Sequence, residues 1–341
     1  MNTNIADNAF LQHFASGTHV QGTEGVSNNV TGEVTPYGVG EGLSAEMQTY
    51  YSDYLIDNAE PYLAHDLFAQ KHKIPRGAKT ISFRKYDPLP KRMTPITEGV
   101  TPDAKKLSVS TVEAEANQYG DYVCLSDVLD LTAIDNNVVV ALDLLSSQAG
   151  RTLDTITREV LNGGTNVIYS GAKASRDALT ATDILTVDDI KKAVRALKNQ
   201  NADKIGNSFV AIIHPDVAYD LTNDPKWEAV KTYCDPDDWY EGEIGRIAGV
   251  RFVQTTEAKI YENGVFGSLF LAEGAYGVTE ITGGGLQTIV KQKGSAGTAD
   301  PLDQRSSIGW KAIKTAELLI PQYLVRVESK SETFSGTAAA N

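Results

Sequence analysis

The stretch DNNVVVALDLLSSQAGRTLDTITREVLNGG, residues 135–164, carries a long and regular apolar pattern. Its apolar residues recur at steps of three and four, which places them on a single face of a helix. Asp135 or Asn136 can cap the first amides, and the two closing glycines can end the helix in the left-handed conformation. The spacing therefore predicts one long helix over residues 136–162. Its apolar face consists of Val138, Leu142, Leu145, Ala149, Leu153, Ile156 and Val160.

The opposite face of this helix is predicted to be polar and exposed. It carries Asp143, Ser147, Arg151, Asp154 and Arg158. Asp154 lies four residues before Arg158, the order that favours an ion pair along a solvent-facing helix. Two interpretations fit so long a helix: a core helix of a large α+β domain, or a spine on which a wide, flat molecule is built.

The composition is that of an ordinary globular protein with an excess of acidic residues. A chain of 341 residues exceeds one compact core of usual size, so we expect two or more lobes. No apolar run reaches the eighteen or so residues of a membrane span, and the first residues lack the features of a signal peptide, which predicts a protein made and kept in a cytoplasm. The net charge of −13 argues against binding nucleic acid through a basic surface.

The two cysteines do not indicate a metal site or a disulfide framework. Cys124 and Cys234 lie 110 residues apart and have no partner at a ligand spacing. We expect both to be reduced residues of the core.

The first part of the chain divides into an arm and a helical segment. Residues 1–42 are rich in Gly, Asn and Thr and have no periodic apolar pattern, so they cannot fold alone. They form either a solvated tail or an arm that becomes ordered on neighbouring copies. Residues 43–68 return to helical spacing, and Pro61 predicts two short helices in place of one.

A projecting hairpin is predicted next. The alternating runs Thr80–Tyr86 and Leu107–Ala116 predict its two strands. The twenty residues between them contain four prolines, and a structureless loop of that length is uncommon inside a compact domain. We therefore expect the loop to project and to be supported elsewhere. Residues 81–106 hold six basic and three acidic side chains, a net +3 in an acidic protein.

The second half of the chain mixes helices and strands. Thr186 can cap a helix, with Asp189 placed for a reciprocal contact, and Phe209–Ile213 is an apolar run of strand length that stops at His214. Several short alternating strands follow towards residue 327. Because helices and strands do not alternate regularly, the sequence predicts an α+β fold rather than a doubly wound sheet.

The residues give little support to catalysis. The five histidines show no metal-ligand spacing, no Gly-x-Ser-x-Gly motif is present, and Gly283–Gly285 lacks the residues of a phosphate-binding loop. We therefore predict no catalytic, cofactor-binding or metal site. His214 ends an apolar strand, where active sites do occur, but a strand that stops at a proline turn explains its position without any chemistry. A soluble α+β enzyme using His214 and the acidic loop near Trp239 remains an alternative.

Six motifs then identify a family. In order along the chain they are KTISFRKYDPLP (79–90), TPITEGVTPDAKKLSVS (94–110), QYGDYVCLSDVLDLT (118–132), QAGRTLDTITREVLNGGTNVIY (148–169), VAIIHPDVAYDL (210–221) and GEIGRIAGVRFVQTTEA (242–258). Together they resemble the major capsid proteins of the coliphage N4 type, within the Hong Kong 97 phage capsid fold. The resemblance covers roughly residues 43–330, and the arm before Leu43 carries no matching motif.

The resemblance implies a domain organisation. It comprises an N-terminal arm (1–42), a helical segment (43–79), an extended hairpin loop (80–118), a peripheral domain (119–185 with 285–320) built on the spine helix (136–162), and an axial domain (186–284 with 321–341).

The resemblance also implies a structural function without cofactors. The protein would self-assemble into the icosahedral head of a tailed double-stranded DNA phage and would not be an enzyme. Its partners would be further copies in hexamers and pentamers, the portal, and scaffold or decoration proteins. It would enclose DNA without sequence-specific binding, contact no membrane, be assembled in the cytoplasm of a host bacterium and end in the virion capsid. An encapsulin-type compartment shell of the same fold is the nearest alternative.

An intersubunit contact is the remaining prediction. The basic hairpin would dock on an acidic surface of the neighbouring copy, at the entrance to the long helix. The predicted basic residues are Arg84, Lys85, Lys91 and Arg92, and the predicted acidic residues are Asp121, Asp127, Asp130 and Asp135, with Asp143 nearby in sequence.

Overall fold

A computed structural model provides the coordinates of the chain. The residues it describes are 54–55, 58–59, 63–74, 80–86, 89, 91–96, 98–99, 101, 104–132, 137–227, 245–281, 285–295, 300–332 and 340–341. The predicted arm 1–42, Asp135, Cys234 and the loop around Trp239 lie outside these residues.

The described parts form two compact units. The first takes its residues from 1–63, 118–153 and 283–313, and the second from 64–117, 154–282 and 314–341. The predicted division into arm, hairpin, peripheral and axial domains stays a prediction.

The long helix, labelled α2 below, is present. It runs from Asn137 to Asn162, within one residue of the predicted start, and Gly163 closes it by donating its N–H to the carbonyls of Glu159 and Val160 at 3.1 Å each. All seven residues of the predicted apolar face are buried or half-buried. The periodicity therefore identified the side of the helix that packs.

The polar face of α2 was predicted correctly only in part. Asp143 and Arg151 are exposed, but Asp154 is fully buried and Arg158 is 3% exposed. Asp154 contacts His65 instead of Arg158, and the Arg158 guanidinium donates to the Glu257 carbonyl at 2.9 Å. The predicted exposed ion pair is wrong because both side chains have partners outside the helix, about 90 to 100 residues away in sequence.

The first unit contains a three-stranded sheet. Its strand order is β12 (Gln287–Lys291), β13 (Arg305–Lys314) and β4 (Asn117–Ser126), and the short helix α1 (Asp127–Thr132) follows β4. Glycines allow β4 and β13 to approach closely: a Cβ on Gly120 would lie 2.5 Å from the Trp310 carbonyl oxygen, and one on Gly309 would lie 2.7 Å from the Tyr122 Cβ. Any larger residue would force the strands apart.

The second unit is built on a seven-stranded mixed sheet. Its order is β5-β15-β10-β6-β8-β7, with β9 also paired to β10. The strands are β5 (Val167–Tyr169), β6 (Phe209–Ile213), β7 (Arg246–Ile247), β8 (Val250–Gln254), β9 (Ile260–Tyr261), β10 (Val265–Leu271) and β15 (Leu324–Ser329).

Two helices join this sheet in an apolar core. Helix α3 (Val187–Asn199) contributes Ile190, Val194 and Leu197, and α4 (Pro215–Thr222) contributes Val217 and Leu221. They pack with buried residues of β6 and β10, among them Phe209 and Phe270. Thr186 caps α3 as predicted, since its side chain accepts from the Asp189 N–H at 3.4 Å and donates to the Asp189 carboxylate at 2.9 Å.

Two smaller sheets complete the second unit. One has the order β1 (Gln70–Ile74), β11 (Tyr276–Ile281) and β14 (Ala316–Leu318), and the other is the predicted hairpin, β2 (Thr80–Tyr86) paired with β3 (Val109–Glu115). This mixture of helices and short strands confirms the α+β prediction. No helix among the described residues is long and apolar enough to span a membrane.

Cys124 corrects a further prediction. It lies on β4 and is exposed rather than buried in the core. The pattern of β4 explains the error, because eight of its ten residues are exposed although several of them are apolar or aromatic.

Candidate functional site

The hairpin β2–β3 is anchored at its base. Its antiparallel register pairs Thr80 with Glu115 and Tyr86 with Val109. Phe83 is buried and packs edge-on against His72, with ring centroids 5.0 Å apart. Its ring also lies over Gly277 of β11, where an added Cβ would come within 2.9 Å of the Phe83 Cε1. The close packing of the Phe83 ring on Gly277 therefore anchors the hairpin on β11.

The loop beyond this base is exposed throughout its described length. Every described residue from Leu89 to Thr111 is exposed. The described part of the loop is therefore open to solvent, and its projection stays a prediction. It also carries apolar side chains in solvent, since Met93 is 86% and Ile96 is 70% exposed, and Leu89 and Leu107 are more than half exposed.

The predicted basic residues follow the same exposed path. Arg84 lies on β2 opposite Thr111, and Lys91 and Arg92 lie in the loop. Within the described part of the chain, none of these three side chains forms an ion pair. Lys85 occupies the next position on β2, opposite Ser110, and its side chain lies outside the described atoms.

Asp121 is the best-defined of the predicted acidic residues. It lies on β4, where its carboxylate accepts from the Gln148 side chain of α2 at 2.6 Å and from the Tyr122 N–H at 2.8 Å. These hydrogen bonds, the first the larger in effect, lower the pKa of Asp121 below its ordinary value. Gln148 also accepts from the Trp310 indole N–H at 3.4 Å, so Asp121 is held in a fixed position and stays ionised.

The other predicted acidic residues are placed less completely. Asp127 begins α1, and its carboxylate accepts from the adjacent Val128 N–H at 2.7 Å. Asp130 lies in α1, but its side chain is outside the described atoms, as is all of Asp135. Asp143 accepts from the Tyr54 hydroxyl at 2.6 Å and from Asn58 at 3.2 Å. Asp121 and Asp127 belong to the first unit, whereas the hairpin belongs to the second.

Several exposed apolar residues on the first unit were not predicted. Val140 and Leu144 lie one turn apart on α2 and are 49% and 67% exposed, and Val128 of α1 is 63% exposed. The signal was present in the run VVVALDLL, residues 138–145, where seven of eight residues are apolar. Because a helix that is apolar on all sides is normally covered on all sides, such a run indicates a second contact in addition to the core.

A buried polar cluster secures the second half of α2. His65 is fully buried, with its Nδ1 atom 2.6 Å from the Asp154 carboxylate, and its main-chain N–H donates to the same carboxylate at 2.7 Å. Next to it, Asp66 accepts from the Thr157 hydroxyl at 2.5 Å and from Lys314. The His65 Nε2 atom is buried with no described partner. Because it does not reach solvent, the pair has the geometry of a structural clasp rather than of a general base open to substrate.

His214 does not have the surroundings of a catalytic base. Its side chain caps α4, with Nδ1 accepting from the Asp216 N–H at 3.2 Å, and its ring packs against Phe266. Burial lowers the pKa of His214, and the nearby Asp216 carboxylate offsets this only in part. In the neutral ring, Nδ1 carries the lone pair that a general base would use. Here that lone pair already accepts the hydrogen bond from the Asp216 N–H at the start of α4.

The described residues also form a cleft of about 500 Å³ between α3 and α4. Asp188, Asp220, Asp224 and Glu332 lie along it, and burial raises the pKa of Asp220. Within the described part of the chain, no group of three or more His, Cys, Asp or Glu side chains is arranged to hold a metal ion. The cleft is thus acidic, without a metal-binding geometry.

The chain matches a protein family model and shares its fold with several solved structures. Residues 109–320 match the family described as "Phage capsid protein". The cyanophage Pam1 capsid asymmetric unit aligns over 90% of this chain and 99% of that chain, with 12% identity and a TM-score of 0.60. The capsid of Ralstonia phage GP4 aligns over 79% and 88%, with 15% identity and a TM-score of 0.59.

A virus-like particle from Pyrococcus furiosus is also similar. It aligns over 83% of this chain and 99% of that chain, with 12% identity and a TM-score of 0.50. Identities this low indicate a shared fold alone. A search of the curated proteins finds no match.

Proposed function

We infer that this chain, which belongs to the phage capsid protein family, is the major capsid protein of a tailed phage head. It is a structural component of the virion, has the α+β Hong Kong 97-type capsid fold and is not an enzyme. Copies of the chain assemble with one another into the shell. The shell would be icosahedral, built from hexamers and pentamers, and would enclose double-stranded DNA.

Finer features are proposed with it. The assignment to the coliphage N4 type is supported by the six ordered motifs between residues 79 and 258. The portal and scaffold or decoration proteins are the further partners that such a head would use. The peripheral and axial domains would correspond to the sequence ranges given above, with the hairpin reaching over the adjacent copy.

The exposed loop is the observation that carries the proposed contact between copies. Met93 and Ile96 are largely exposed, and no described residue of the loop is buried. Covering such a side chain contributes about 1.5 to 3 kcal/mol at full burial, whereas an exposed ion pair contributes about 0.2 to 1 kcal/mol. The apolar side chains would therefore supply most of the affinity of docking.

The charged side chains would determine where the loop docks. Arg84, Lys85, Lys91 and Arg92 would face Asp121, Asp127, Asp130 and Asp135 of the neighbouring copy. Opposite charges across an interface fix its register and exclude wrong pairings, even where each pair adds little free energy. A fixed, ionised Asp121 is suited to that role, and the exposed Val128 and Leu144 offer apolar surface on the same unit.

Charge reversal tests this contact. The variant Arg84→Glu, Lys85→Glu, Lys91→Glu and Arg92→Glu is expected to give folded, soluble subunits that fail to close into shells, or close only at high salt. The salt dependence follows because screening weakens repulsion between exposed charges. The matched control reverses four exposed bases elsewhere, namely Arg195, Lys198, Lys204 and Lys291.

The apolar contribution is measured alongside. Replacing Met93 and Ile96 by Ser is expected to reduce particle yield at every salt concentration, because salt does not restore lost apolar contact. Negative-stain microscopy counts the particles, and circular dichroism checks the fold of the subunits. Normal particles from both loop variants, with unchanged yield, would refute the proposed contact.

An encapsulin-type shell is the second candidate, and the observation that favours it is the similarity in fold to the virus-like particle. The nucleic-acid content of purified particles distinguishes the two, since a phage head encloses DNA and an encapsulin encloses protein cargo. The family match favours the phage head.

A further inference from the structure

Among the residues that the structure describes, strand β9 pairs with β10 alone, so its other edge faces no described strand. Ile260 is paired with Phe266 of β10, and the adjacent Gly267 N–H donates to the Lys259 carbonyl at 2.9 Å. In an antiparallel pair, successive residues direct their N–H and C=O groups alternately towards the partner and away from it. The main-chain groups of Ile260 and the carbonyl of Ala258 therefore point away from β10.

One residue satisfies all of these outward groups. Asn341 accepts the Ile260 N–H on its side-chain oxygen at 2.9 Å and donates its own N–H to the Ile260 carbonyl at 3.2 Å. Its side-chain NH₂ donates to the Ala258 carbonyl at 3.1 Å. The Asn341 carboxamide thus makes the hydrogen bonds that a peptide group of a neighbouring strand would make, with both its donor and its acceptor in use.

A charged pair strengthens this arrangement. Lys259 donates to the main-chain carbonyl of Asn341 and to the Glu159 carboxylate, the latter at 2.9 Å. Burial disfavours the ionised form of Glu159, but hydrogen bonds from Lys259 and Arg158 outweigh it and lower the pKa of Glu159. Lys259 is therefore held beside the edge by a carboxylate that stays ionised, ready to bind the carbonyl of the docked residue.

We propose that the edge Ala258–Ile260 is a binding site for an asparagine residue, and that Asn341 of the same chain fills it. Its role is to close the edge of the seven-stranded sheet. Open strand edges pair readily with other chains, a hazard for any protein that reaches high local concentration as it self-associates. This inference does not depend on the hairpin contact.

The chemistry of the site predicts selectivity for asparagine. Aspartate would keep an acceptor for the Ile260 N–H but would turn a carboxylate oxygen towards the Ala258 carbonyl, where a donor is required. Alanine would keep the main-chain contacts and lose both side-chain hydrogen bonds. Asn341→Ala therefore measures the loss of the side-chain hydrogen bonds. Asn341→Asp measures the repulsion between its carboxylate and the Ala258 carbonyl.

Hydrogen exchange of the full-length, unassembled chain tests the proposal. In Asn341→Ala, the Ile260 amide is expected to exchange about tenfold faster than in the wild-type chain, because its acceptor is lost. Asn341→Asp is expected to show a smaller increase at Ile260. Amides of β10 serve as the internal control, since they lie on the other side of β9 and should be unchanged.

Two further measurements identify the occupant. A synthetic peptide TFSGTAAAN, residues 333–341, is expected to restore protection of Ile260 in Asn341→Ala, and a peptide ending in Ala is expected not to. Protection in the wild-type chain should be independent of protein concentration. Unchanged exchange in Asn341→Ala would overturn the site, and concentration-dependent protection would overturn its occupation by the same chain.

Discussion

At the scale of single residues, the His65–Asp154 pair shows what burial costs a polar contact. Both side chains are fully buried, and Asp154 receives two hydrogen bonds from His65. Removing one partner of a buried polar pair leaves the other desolvated without compensation, which costs more than the pair itself contributes.

Asp154→Ala is therefore expected to lower the free energy of unfolding by about 3 kcal/mol, because the His65 ring nitrogen and main-chain N–H lose their acceptor. Urea denaturation of unassembled subunits measures this change. Arg151→Ala, an exposed change one turn earlier on α2, is the control and should stay within about 0.5 kcal/mol of the wild-type chain. Equal effects of the two substitutions would show that Asp154 does not hold the clasp.

His214 links stability to pH. Its pKa in the folded chain lies below the ordinary value of 6.5, with burial as the main cause. Between those two values the unfolded chain binds more protons, so this contribution to stability is present above about pH 6.5 and is lost as the pH falls. Protonation would also place a hydrogen on the nitrogen that accepts from Asp216.

His214→Asn keeps a capping acceptor at the start of α4 and removes the titration. Its free energy of unfolding is expected to fall less than that of the wild-type chain between about pH 7 and about pH 5. If the free energy of unfolding changes equally with pH in the two chains, His214 does not titrate in this range. Particles should still form, and no activity is expected to disappear with the histidine.

At the scale of secondary-structure elements, local patterns predicted what local chemistry determines. The limits of α2, the Thr186 cap and the pairing of β2 with β3 follow from periodicity and capping within short stretches. The partner of Asp154 did not follow, because it lies 89 residues away and an acidic residue in a helix is normally solvated. Long-range polar contacts have no periodic signal.

The candidate contact surfaces were predicted incompletely for a related reason. Charge led to the prediction of Arg84 and Asp121 as contact residues, but the exposure of Val128, Val140 and Leu144 was not predicted. From sequence alone an apolar residue is assigned to the core of its own subunit. A chain that associates with copies of itself also places apolar residues where another subunit covers them.

At the scale of the whole molecule, repetition makes weak contacts decisive. A shell repeats each contact between copies many times, so a small loss of free energy per contact shifts assembly strongly while the subunit stays folded. This is why the charge-reversal variant is read by particle formation rather than by subunit stability. Closure of the β9 edge by Asn341 acts in the same setting, since it removes one unwanted way for copies to associate.

Helix α2 has a consequence for folding cooperativity. Its residues up to Leu153 group with the first unit and those from Asp154 with the second, yet the helix is continuous. Unfolding one unit alone would break the helical hydrogen bonds that cross this junction and create a new frayed end, so the two cores are expected to melt together. Calorimetry of unassembled subunits should show one transition, whose calorimetric and van't Hoff enthalpies agree. In Thr155→Pro the helix is broken next to this junction, so the single calorimetric peak should divide into two. A divided peak in the wild-type chain would show that the helix does not couple the two units.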